Sequence, residues 1–87
     1  MDGLLRVGQR WIAIPDAQLP IVRLLLDRPM RVVRHEEILV RYQEAGGKGE
    51  LRAVKSMLTR LTRRLDKVGL VLVSVRSRGV RLEWAPA

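Results

Sequence analysis

Arg52, Lys55, Ser56, Thr59, Arg60, Arg63 and Lys67 recur at intervals that set cations and hydroxyls along one face of a helix. Guanidinium groups pair with phosphate oxygens or with the O6 and N7 of guanine, and Ser or Thr hydroxyls bond to either. A second cluster, Arg76-Ser77-Arg78-Gly79, puts two more guanidiniums on a turn. Such a tip can enter a minor groove, whose narrow walls focus negative potential. From Arg52 to Arg81 nine basic residues stand against one acid, Asp66, so this stretch carries the whole net charge of +8. Residues 1–51 hold eight basic and seven acidic side chains and are almost neutral. A basic half on a balanced half is the footprint of a polyanion binder, whereas a solubilising face seldom excludes acids so thoroughly.

Other chemistries find no support. His35 is the sole histidine and lacks partners for a triad or metal site, so it is expected to open a helix, close to phosphate. Cysteine is absent, which removes disulfides, zinc fingers and thiol catalysis, and suits a reducing cytoplasm. Gly46-Gly47-Lys48-Gly49 lacks the spacing of a phosphate-binding loop and a preceding strand. Glu36 and Glu37 are adjacent, so on a helix they diverge and form no working carboxylate pair. No catalytic residue, cofactor or metal is therefore expected, and the chain does not read as an enzyme. No apolar run approaches the ~20 residues of a membrane span. The expected location is the cytoplasm, in association with the nucleoid.

These groups need a scaffold, and the 87 residues are enough for one domain. Leu4–Val7 and Trp11–Ile14 around Gly8-Gln9-Arg10 read as a hairpin, closing an N-terminal unit over residues 1–15. Asp16 is expected to cap a first helix carrying Leu19, Ile21, Val22, Leu24, Leu25 and Leu26, which Pro29 ends. Arg31-Val32-Val33 is at most a minor strand, and a second helix covers His35 to about Gln43, with Ile38, Leu39 and Tyr42 inward. Residues 44–50, with three glycines, form a loop. Leu51, Val54, Leu58, Leu61, Leu65 and Val68 draw the stripe of a third helix over about 51–68, stopped at Gly69. Leu70–Val75 and Val80–Trp84 make a second hairpin over 70–84, and Trp11 and Trp84 are expected to be packing residues. The resulting class is α+β, with a three-helix unit over 16–68 between two hairpins.

This order of elements resembles the C-terminal effector domain of OmpR/PhoB-type response regulators, a winged helix-turn-helix. The residues that carry the resemblance are Leu24–Pro29, Arg31–Val33, Glu36–Leu39, Arg52–Lys55, Leu58–Leu65 and Ser74–Leu82. It covers roughly residues 14–83. The resemblance implies that the third helix reads the major groove through Arg52, Lys55, Ser56, Thr59, Arg60 and Arg63. It sets Arg76 at the place of the family's wing arginine and the loop 44–50 at that of its polymerase-contacting loop. RNA polymerase is thus implied as a second partner. Ser56 and Met57 replace the family's Val and His, and Ser77-Arg78 replace a Gly-Val, so base specificity does not transfer. A receiver domain has no counterpart in these residues, and phosphorylation control is not expected. A free-standing regulator and a module cut from a larger one are both open.

The expected function is sequence-specific binding to double-stranded DNA as a transcriptional regulator, with Arg52, Lys55, Ser56, Thr59, Arg60, Arg63, Lys67, Arg76 and Arg78 as the contacts. A single small module binds weakly, so homodimer pairing on repeated half-sites is expected. The alternative is a winged-helix protein-interaction module holding the transcription machinery or another protein through the same surface. An RNA-binding role is disfavoured by the scarcity of aromatic residues, on which RNA readers stack bases.

Overall fold

The computed structural model describes residues 3–84. It is an α+β fold with three helices and two small antiparallel sheets, an arrangement compatible with a winged helix. Strands β1 (Gly3–Val7) and β2 (Arg10–Ile14) form the expected hairpin, with Gly3 opposite Ile14 and Val7 opposite Arg10. A 3-10 turn over Asp16–Gln18 leads into α1 (Leu19–Asp27). Asp16 stands inside that turn rather than ahead of it. Pro15 is the capping residue and no side chain caps the turn, which corrects the cap expected at Asp16. After Pro29, β3 (Val32–Arg34) runs directly into α2 (His35–Glu44). The turn between α1 and β3 holds Met30 at a left-handed φ of 65°, tied down by the hydrogen bond that its N–H donates to the Leu82 carbonyl oxygen at 3.0 Å.

Helix α3 (Leu51–Asp66) is the longest element. It stops two residues short of the expected end, because Lys67 is its C-cap and Val68 follows in the turn to Gly69. Val54, Leu58, Leu61 and Leu65 are buried as the stripe requires. Leu51, the first residue of the helix, is 38% exposed, and Met57 is fully buried in its stead. Met57 lies three residues after Val54 and four before Leu61, which turns it to the core side of the helix. The core these residues share with Ile14, Ile21, Leu25, Val33, Ile38, Leu70 and Val80 joins all three helices to both sheets.

Strands β4 (Leu70–Val75) and β5 (Gly79–Trp84) pair from Leu70–Trp84 to Val75–Gly79 and form the wing. The minor strand β3 is its third member, in the order β3-β5-β4, with Val33 opposite Val80 and Arg34 opposite Gly79. This close approach requires glycine: a Cβ on Gly79 would lie 1.9 Å from the Val33 carbonyl oxygen.

The two tryptophans do not pack as expected. Trp11 is 57% and Trp84 60% exposed. Alternation sends Ile12 and Ile14 of β2 inward and Trp11 outward, where Arg6 stacks on its ring at 5.3 Å from the centroid. Trp84 is the last residue of β5, and although it stands opposite fully buried Leu70 its own large ring is left mostly in solvent at the strand end. Among the described residues no helix is long and apolar enough to cross a membrane.

Candidate nucleic-acid interface

The amphipathic pattern of α3 decides which of its side chains meet solvent. With Val54, Met57, Leu58, Leu61 and Leu65 held in the core, the opposite face consists of Arg52, Ser56, Thr59 and Arg63, all exposed. Lys55 and Arg60 stand on the two flanks, also exposed, and Lys67 extends the basic face beyond the last turn. The sequence-expected contacts on this helix are thus all accessible.

The two flanks differ in what they meet. Lys55, Thr59 and Thr62 follow one line along the helix and border a groove of about 300 Å³ between α3 and the wing. Its other bank is Ser74, Arg76 and Ser77, His35 lines it too, and its floor is apolar, from Leu58, Leu72, Val75 and Val80. Here Lys55 and Thr59 come together with Arg76, although the sequence separates them widely. Thr62 and Ser74 were missed by sequence reasoning. Thr62, at seven residues from Lys55, carried a usable signal in its spacing, but Ser74 carried none before the register of the wing was known. On the opposite flank, below Arg60, the Arg64 guanidinium reaches the Ala13 carbonyl of β2 at 3.5 Å. Its Nε is buried without a partner, so this arginine belongs to the packing of α3 on the N-terminal hairpin rather than to the open face.

Two hydroxyls have a defined polarity. Thr59 Oγ1 donates to the Lys55 carbonyl at 3.0 Å and Thr62 Oγ1 to the Leu58 carbonyl at 2.8 Å. With its proton committed to the helix, the Thr59 oxygen can only accept, which suits an amino group on a base edge and not a phosphate. Ser56 makes no such bond and can donate.

The wing tip is two-sided. Val75 to Arg78 close a turn through the Arg78 amide and the Val75 carbonyl at 3.0 Å, with Ser77 at a φ of 62°. Arg76 and Ser77 border the groove facing α3, whereas Arg78 borders a separate groove of about 330 Å³ with Val32 and Arg34. Arg78 therefore does not join Arg76, as a shared tip implied. It joins Arg34, a residue of the near-neutral half that no charge count distinguished.

Among the described residues, few of the basic side chains are paired. Arg28 is engaged by Glu37 at 2.6 Å and Arg81 by Glu83, with 2.6 Å from its Nε. Arg34 has only a loose contact with Glu36 at 3.8 Å. Among the described residues, Arg52, Lys55, Arg60, Arg63, Lys67, Arg76 and Arg78 have no carboxylate partner within 4.0 Å. The first-turn acids of α2 are thus spent on Arg28 and Arg34. Arg10, Arg23, Arg31, Arg41 and Lys48 are unpaired among the described residues as well, but the unpaired cations that adjoin one another across a groove without acids are those of α3 and the wing. A further groove, about 570 Å³ beside α1 and α2, mixes Asp16 and Asp27 with Arg23, Arg28 and Arg41 and favours neither sign. Among the described residues no group of three His, Cys, Asp or Glu side chains could hold a metal ion. No family model matches the chain, and neither does any curated protein or solved structure.

Proposed function

We propose that this chain binds duplex DNA as a transcriptional regulator, with the outer face of α3 in the major groove and the wing tip in the adjacent minor groove. The observation that carries the reading is the continuity of unpaired cations from Arg52 and Arg63, through Lys55, across the groove to Arg76. A helix of this exposed width fits a major groove about 12 Å across. The strand that separates the two grooves of the duplex would then lie along the groove between α3 and the wing. Lys55 and Arg76 flank that path, and hydroxyls of Ser74 and Ser77 can bond its phosphate oxygens. Ser56 and Thr59 are placed for base edges. The accompanying expectations, RNA polymerase contact through the exposed loop between α2 and α3 and pairing on repeated half-sites, belong to the same reading.

The test is fluorescence anisotropy with a labelled duplex of random sequence at moderate salt. Arg63→Ala should weaken binding about tenfold, the loss of one phosphate or base contact. Arg23→Ala, which removes an equal charge from the groove beside α1 and α2, should leave affinity within about twofold, as a charge off the interface contributes only screened long-range attraction. Equal effects of the two variants would reduce the interface to net charge. Absence of salt-sensitive binding to the random duplex would favour a protein-interaction module.

A further inference from the structure

We infer that Arg34 and Arg78 form a second phosphate clamp, on the side of the wing turned away from α3, which grips the strand across the minor groove from Lys55 and Arg76. This rests on the duplex-binding reading and adds to it a contact residue from outside the basic half of the chain.

Three features place the clamp. Antiparallel pairing sets Arg34 opposite Gly79, the neighbour of Arg78, and the missing Cβ of Gly79 lets β3 come close enough to do so. The His35 amide bonds to the Arg78 carbonyl at 3.4 Å, so the start of α2 is tied to the wing tip. Arg34 and Arg78 then line one groove with Val32, separate from the groove that Arg76 shares with Lys55. A wing lying in a minor groove has a phosphate backbone on each side, about 6 Å of groove width apart. One guanidinium pair faces each backbone. The opposing charge is Glu36, 3.8 Å from Arg34, but the two side chains are 68% and 80% exposed, and such a pair is held weakly. Phosphate exchanges for Glu36 on Arg34. Glu37 does not compete, being held by Arg28.

The salt dependence of random-duplex binding tests this. Arg34→Ala should reduce the slope of log K against log salt by about 0.9, one phosphate, and weaken binding roughly eightfold at 0.1 M salt. Arg78→Ala should do the same, and Arg34→Lys should retain most of the slope. Glu36→Gln should strengthen binding in the parent chain, and this gain should vanish in the Arg34→Ala background. Thermal melts of each variant confirm folding, and the Arg34→Lys and Arg78→Ala data carry the test if Arg34→Ala melts early. An unchanged slope for Arg34→Ala and Arg78→Ala, with Arg63→Ala still weakened, overturns the clamp and leaves the duplex reading standing. If Arg63→Ala is unaffected as well, the duplex reading itself fails.

Discussion

Gly79→Ala should force β3 away from the wing. The new methyl would sit 1.9 Å from the Val33 carbonyl oxygen and 2.9 Å from the Arg34 Cα, both main-chain atoms that cannot swing aside. Relief requires β3 to part from β5, which breaks the Arg34–Gly79 and Val33–Val80 pairings and exposes buried Val33 and Val80. The expected cost is about 3 kcal/mol, the upper range for forcing an extra group into a packed site. That is a large share of the ~5–15 kcal/mol that holds a small domain together. Urea unfolding should show the midpoint falling sharply. Ser74→Ala, exposed on the neighbouring strand, should stay within about 0.5 kcal/mol. A Gly79→Ala chain as stable as the parent would mean that β3 does not lie against the wing.

The second large effect is electrostatic. Replacing Arg52, Lys55, Arg63 and Arg76 together by alanine should lower duplex affinity on the order of 10³-fold at 0.1 M salt, since four phosphate contacts carry about −3.6 of the salt exponent. All four side chains are exposed and none holds a carboxylate among the described residues, so the fold should survive. Far-ultraviolet circular dichroism and a thermal melt check this, and relief of like-charge crowding should raise the melting temperature. A quadruple variant that binds duplex DNA like the parent would remove α3 and the wing from the interface.

The parts that were legible in the sequence are those governed by local spacing. The stripe of α3 and the cations opposite it follow from a period of 3.6, and both hairpins from paired apolar runs around a turn. Comparison with the effector-domain family set Met57 among residues replacing others on the helix. Its place in the core follows from the same periodicity once Val54 and Leu61 are taken as inward. Long-range pairing was not legible. That β3 completes the wing depends on Arg34 meeting Gly79 across most of the chain, and no local pattern encodes it. The division of the tip into an Arg76 side and an Arg78 side, and the recruitment of Arg34, follow from that pairing alone. Arg64 shows the converse limit: it lies within the basic run yet serves packing, because one turn of register points it at Ala13. The tryptophans were misjudged because size and apolarity favour burial, while strand alternation and strand end decided their exposure.

In the proposed function the free cations of α3 and the wing meet the phosphates of a duplex. This contact is tested most directly by titrating the unmodified domain onto a random-sequence duplex across a series of salt concentrations. Log K should fall linearly with log salt with a slope of about −5 to −7, from roughly six to eight neutralised phosphates. A slope near zero, or no measurable binding at low salt, would contradict it.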